Sequence, residues 1–496
     1  MICHKQKGTK IMKKIFAILI TICLLVAAFC ITTFAAEAPA SDVVLRVSAL
    51  KTDDTTVLVD DYTSFEDGWN AAMELAINSK EMKQNDYARV IVDIYADWNA
   101  VDGEFTKAFW NGKGFNWDTI YFQPNVRMTL NLNGHTINRG LTEWEYNGEV
   151  MYIDKNADVI INDGTITGGW SCNGAGGIHI NDNANVTLNN VNVVGNTAED
   201  DDGSAIAAYD GATLIMNGGS ISNNTLWRSF KSYETPCGGL YLNDSTAYLN
   251  DVVFEGNIFR GYDYAYGVAV YVDDGELTME NCTFKGNGYK NSSNNIWTPQ
   301  SVVCIDEGSM TLNNCVFEDN GTKGLLAGPN MISIFDGTVK VSNSIFRNNS
   351  SARVIFCNSG TLEVTESRFE GNTANVFNGT ANEGSYFKDC TFANNSEEKY
   401  YTFAFGEDNK LSFENCEFDA DTVFNDKSRA TFVGNAPKGK SLNAGSIFGE
   451  GSLAMVISLL ALVASGASIF MIADLKKKLV PVASNNTAKT EDEDDE

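Results

Sequence analysis

Four consecutive carboxylates, Glu199, Asp200, Asp201 and Asp202, stand just ahead of Gly203 and form a dense set of hard oxygen donors within the body of the chain. Such donors in a glycine-bounded loop suit Ca2+, so the run is the candidate metal site, with a solvated acidic turn as the alternative. His135 lies in Asn-Gly-His-Thr and His179 in Gly-Ile-His-Ile. Neither has the Cys/His spacing that holds zinc, and both read as turn or core-edge residues. Hydrolysis of a glycosidic bond requires two carboxylates flanking it, one of them held protonated. A lyase requires carboxylates for Ca2+ and a basic residue to abstract a proton. No such set is evident, so no catalytic residue is assigned. The side chains best suited to a ligand are aromatic: Trp227, Arg228 and Tyr233, Tyr262 and Tyr264, then Tyr289 and Trp297, preceded by Trp144, Tyr146 and Trp170. Exposed Trp and Tyr near polar groups suit sugar rings or a protein partner; otherwise they fold back over the body.

What positions these residues is a repeat. A unit of the form apolar-x-apolar-x-Asn-x-x-Phe-x-x-Asn recurs as LTMENCTFKGN from Leu277, MTLNNCVFEDN from Met310, VKVSNSIFRNN from Val339 and LEVTESRFEGN from Leu362. Earlier copies, such as VTLNNVNVVGN from Val186, carry Ile or Val where these carry Phe. The anchors run Ile137, Ile166, Val193, Ile221, Phe254, Phe284, Phe317, Phe346, Phe369, Phe392 and Phe418, with a mean spacing of about 28 residues. Each repeat holds about three short strands separated by Asn, Asp and Gly turns. Strands this short cannot bury a face alone, whereas stacked coils pair each strand with its counterpart about 4.8 Å away. The expected fold is all-β, a right-handed parallel β-helix of about eleven coils over residues 120–435. Leu277, Met279, Cys282 and Phe284 point inward from one coil, and Met310, Leu312, Cys315 and Phe317 from the next. The Phe anchors form a ladder, and the turn asparagines form an amide ladder. The aromatic segments all follow the anchor strand, so they line one flank.

The remaining segments place this body. Lys13 and Lys14 precede an apolar run ending at Ala35 and Ala36, a signal peptide over residues 1–35. Residues 36–119 form an N-terminal α/β cap, with a helix over 64–79 opened by Thr63 and Glu66 and a strand over 88–95. A helix there covers a parallel edge that would otherwise polymerise. A stalk over 436–451 leads to an uncharged segment, 452–473, long enough to span a bilayer. Lys476, Lys477 and Lys478 then keep the acidic tail, 474–496, in the cytoplasm. The expectation is a single-pass type I membrane protein with its body outside the cell. A net charge of −28 makes nucleic acid and anionic lipid poor partners. Cations, and neutral or basic polymers, suit it better. Cys282, Cys315, Cys390 and Cys416 each stand two residues before an anchor, where parallel Cβ vectors disfavour disulfides, so they read as buried thiols.

The FEGN at 254, FKGN at 284, FEDN at 317 and FRNN at 346 resemble the FxxN half of the repeat in polymorphic outer-membrane proteins. Gly-Gly-Ile at 176 and Gly-Gly-Leu at 238 are similar to its GGAI half. NLNGHTI from Asn131 resembles the entry coil of pectin-lyase-like β-helix surface proteins. The resemblance implies surface display and adhesion. The Gly-His-Gly of polygalacturonases is not reproduced, and a single apolar helix replaces the β-barrel of the polymorphic proteins. The functional expectation is an adhesin-like or glycan-binding surface β-helix with an extracellular glycan or surface protein as partner and no cofactor beyond Ca2+. A surface polysaccharide lyase or glycoside hydrolase is the alternative, and a passive envelope spacer the third.

Overall fold

The computed structural model describes residues 40–100, 119–199, 203, 205–228, 237–261, 266–289, 301–321, 329–350, 353–373, 375–395 and 401–434. The body is a parallel β-solenoid. Each coil opens with an entry strand, such as Met151–Ile153 or Ile178–Ile180. A middle strand and an anchor strand follow, continuous in early coils as Asn185–Val194 and separate later as Ser309–Asn313 and Val316–Glu318. Each pairs in parallel, residue for residue, with the coils on either side: Leu188 faces Ile161 and Met216, and Phe317 faces Phe284 and Phe346.

The repeat's asparagines explain the corners. Between middle and anchor strands the chain bends at one left-handed residue, Asn190 at φ 51°, Asn281 at 56°, Asn314 at 54° and Asn343 at 52°. Asn tolerates this conformation because its short side chain can bond the local backbone. A second left-handed residue stands two places after the anchor, as Gly256, Gly286, Asp319 or Asn348, and turns the following asparagine inward. These inward residues form a buried ladder in which Nδ2 of Asn257, Asn287, Asn320, Asn349 and Asn372 each donates to Oδ1 of the next coil's asparagine. Buried amides are tolerable because each is bonded above and below.

All eleven anchors fall in one column, in register from Ile137 to Phe418. The Phe rings stack with centroids 4.4 Å apart for Phe284 and Phe317 and 5.2 Å apart for Phe392 and Phe418. Leu277, Met279, Cys282, Met310, Leu312 and Cys315 are buried beside them as expected. The solenoid has about nine turns rather than about eleven coils. On their outer sides the coils of Ile137 and Phe418 pair only with short or cap strands, Trp98–Asn99 and Tyr87–Ile94 at one end and Thr431–Val433 at the other. The described cysteines are free thiols. In their column Ser344 and Ser367 separate the pair Cys282 and Cys315 from the pair Cys390 and Cys416, and Ser344 Oγ accepts from Cys315 N at 3.0 Å.

The N-terminal end is closed by an antiparallel sheet of β1 (Leu45–Lys51), β2 (Thr56–Tyr62) and β3 (Tyr87–Ile94), with β1 central. Strand β3 passes into the solenoid by pairing in parallel with Arg127–Asn131. Helix α1 (Phe65–Ile77) lies across it. Its N-cap is Ser64, whose Oγ accepts from Asp67 N at 3.3 Å. Thr63 is therefore not the cap, and the helix ends at Ile77 short of residue 79, where helix α2 (Ser79–Gln84) begins. Phe65, Trp69 and Met73 are buried, and Trp69 meets Phe122 of the first coil edge-on at 5.0 Å. Among the described residues no helix is long and apolar enough to cross a membrane; the expected signal peptide, stalk, span and tail lie outside them.

Candidate functional site

Immediately after the anchor strands a fourth set of short strands forms a separate five-stranded parallel sheet: Trp170–Ser171, Thr197–Glu199, Thr225–Arg228, Ile258–Gly261 and Gly288–Tyr289. A buried ladder asparagine, Asn196, Asn224, Asn257 or Asn287, stands just before each of the last four strands, and before the first Gly169 N donates to Asn196 Oδ1 at 3.1 Å. Ser171, Ala198, Leu226 and Phe259 are in register and buried, so the residues on either side of them face outward in two columns. An isolated bridge between Glu145 and Ser171 extends the sheet by one turn. One column then reads Trp144, Trp170, Thr197, Thr225 and Ile258. The other reads Tyr146, Cys172, Glu199, Trp227 and Arg260.

These columns build an aromatic shelf. Trp144 is 55% exposed, Tyr146 65% and Trp227 37%, while Trp170 is half-buried. The indoles of Trp170 and Trp227 meet across the intervening turn, with centroids 5.5 Å apart and planes 27° apart. Beneath them Glu199 accepts from Trp170 Nε1 at 3.1 Å. That bond orients the indole and leaves the carboxylate's other oxygen without a partner among the described residues. The segment bearing Trp144 and Tyr146 is held by Arg139, whose guanidinium donates to the carbonyls of Asn147 and Glu149 and to Glu145 Oε2 at 2.9 Å. Gly148 permits the contact: a Cβ there would sit 1.8 Å from the Trp170 carbonyl. Under the same segment the Glu149 carboxyl is buried without a hydrogen bond, and burial lifts its pKa to about 7.

A second aromatic row runs along the entry face, where Tyr121, Tyr152, His179, Tyr209, Tyr241 and Tyr271 stand on successive turns. The Tyr121 phenol bonds Asp154, and Tyr241 and Tyr271 bond Asp273. Burial pushes His179 down to about 4, so it stays neutral near pH 7, packed between Tyr152 and Tyr209. The rings pack on one another, stacked from Tyr152 through His179 to Tyr209 and at Tyr241–Tyr271 and edge-on at Tyr209–Tyr241, which makes this row a structural spine.

Of the residues singled out by sequence, Trp227 stands on the shelf, and Arg228 and Tyr289 close strands of the same sheet. Tyr233, Tyr262, Tyr264 and Trp297 lie outside the described residues, as do Asp200, Asp201 and Asp202. Glu199 is committed to the Trp170 indole, and no group of three or more His, Cys, Asp or Glu able to hold a metal occurs among the described residues. His135 pairs with Asp97 at 3.2 Å at a turn. Sequence reasoning missed the role of Glu199, the buried Glu149 and the Tyr/His spine. The spine was visible as an aromatic or His at the middle of MYI and IHI.

The chain matches the family model described as right handed beta helix region over residues 126–298 and 289–436. It belongs to that family, and the hand of the solenoid follows. No curated protein and no solved structure matches it.

Proposed function

We propose that this is a cell-surface β-helix, anchored by the apolar segment 452–473, that binds an extracellular glycan through the shelf of Trp144, Tyr146, Trp170 and Trp227. The observation that carries this reading is the indole pair on the outer face of the five-stranded sheet, oriented by Glu199 and flanked by two strongly exposed aromatics. The exposed Trp144 and Tyr146 and the outward rims of the stacked indoles, beside carboxylate acceptors, match the apolar faces and hydroxyl edges of sugar rings. A rigid sheet holds them without an ordering cost on binding. The FxxN units and the pectin-lyase-like entry coil are in keeping with surface display and an adhesin-like role. The test is incubation of the protein with a glycan panel, with and without Ca2+. Retention of a glycan without products supports the reading. Cleavage products would replace it with a lyase or hydrolase, and neither retention nor products with a passive spacer.

A further inference from the structure

Resting on that reading, we infer that Glu199 makes the shelf selective for glycans that carry ammonium groups, such as oligomers of unacetylated amino sugars, over polyuronates. The geometry sets a carboxylate in the middle of an aromatic platform. Glu199 lies in register with Trp227 and is 9% exposed, one of its oxygens bonded to Trp170 Nε1 and the other unbonded by any described residue. A sugar seated over Trp170 and Trp227 therefore lies next to a fixed, largely buried negative charge. An ammonium there gains the attraction of the carboxylate. A uronate carboxylate meets like charge in a half-desolvated setting.

The surrounding charges point the same way. Glu143 is exposed, and Glu145 flanks the shelf with its side chain 45% exposed. Arg139 is not available to an anion, since its side chain is 2% exposed and committed to Glu145 and to backbone carbonyls. Among the described side chains Arg260 is the cation in the same column, two turns beyond Glu199 with Trp227 between them. That separation is about 10 Å at the inter-strand spacing, about one Debye length at physiological salt. The chain's net charge of −28 adds a long-range field that attracts cationic polymers and repels anionic ones.

The experiment measures binding of the full chain in detergent to three oligosaccharide sets of equal length: unacetylated glucosamine, N-acetylated glucosamine and galacturonate. It is run at pH 6 at low and high salt, on wild type and Glu199→Gln. The glutamine keeps an acceptor for Trp170 Nε1 and removes the charge. The expected result is that the cationic oligomer binds about tenfold tighter than the N-acetylated one, that the uronate binds weakest, and that salt narrows the difference. In Glu199→Gln the cationic preference falls to about twofold because affinity for the cationic oligomer falls more than affinity for the N-acetylated one. Equal binding of all three sets, preference for the uronate, or a preference untouched by Glu199→Gln overturns this inference and leaves the aromatic reading standing. Binding of none of the three, or of a polylysine peptide alone, overturns the glycan reading itself.

Discussion

Asn320 gives the sharpest test of how the coils are held together. Its side chain donates through Nδ2 to the Phe284 carbonyl at 2.9 Å and to Asn349 Oδ1 at 3.0 Å. Its Oδ1 accepts from Asn287 N at 3.0 Å and Asn287 Nδ2 at 3.1 Å. In Asn320→Ala the Asn349 amide keeps a bond from the backbone N of residue 320. The buried backbone N–H of Asn287 is left with no acceptor, and Asn287 Nδ2 and the Phe284 carbonyl each lose a partner. An orphaned buried donor costs about 1–3 kcal/mol and each further lost bond about 1, so the loss is about 3–5 kcal/mol. Because a solenoid opens locally, the suitable assay is native-state hydrogen exchange. The Asn287 amide should exchange at least about a hundredfold faster, with the effect fading a few turns away. Asn281→Asp, at an exposed position of similar chemistry, should cost less than about 0.5 kcal/mol. An Asn287 amide that exchanges at the wild-type rate in Asn320→Ala would refute the claim that the ladder carries this stability.

Phe317→Ala, in the middle of the ring column, should destabilise by about 3–5 kcal/mol, read as a drop in the urea midpoint of the surrounding turns. Glu149 titrates at about 7 in the folded protein against an ordinary value of 4.5, so the folded state holds its proton more tightly and stability falls as pH rises from about 4.5 to about 7. Glu149→Gln should abolish that fall, worth at most about 3 kcal/mol; an unchanged pH profile of the urea midpoint counts against the burial of this carboxyl. His179 acts in the opposite sense. Its value of about 4 against 6.5 makes stability rise between those pH values, and His179→Phe should remove that rise and unmask the fall from Glu149. Gly148→Ala should force the Trp144 segment off Trp170 and weaken glycan binding while leaving the far-ultraviolet circular dichroism spectrum unchanged; unaltered affinity would separate Trp144 and Tyr146 from the site.

Much of the solenoid was legible because its constraints are local and periodic. Phe284, Phe317 and Phe346 recur with their corner asparagines Asn281, Asn314 and Asn343, and each of these residue types has one physical reason to be where it is. The cap helix was legible from Phe65, Trp69 and Met73, but Thr63 and Ser64 are both competent caps and only the entry of the chain chooses Ser64. Of the aromatics expected to line one flank, Trp144, Tyr146, Trp170 and Trp227 stand on one sheet, while Tyr233, Tyr262, Tyr264 and Trp297 lie outside the described residues. The internal arrangement of that sheet was not legible, since the Trp170–Trp227 contact skips a turn and depends on rotamers. Glu199 read as part of an acidic loop with Asp200 because nothing local announces a hydrogen bond to an indole 29 residues away.

The claim on which the functional account depends is that Trp170 and Trp227 together form the ligand-contacting surface. Affinity of wild type and of the Trp170→Ala, Trp227→Ala double variant for the glycan retained from the panel tests it directly, with the hydrogen-exchange pattern of the core as the folding control. Loss of at least about tenfold in affinity with an unchanged core pattern is the predicted result, two indole faces contributing about 1 kcal/mol each. Wild-type affinity in a folded double variant would contradict it and place the binding surface elsewhere on the solenoid.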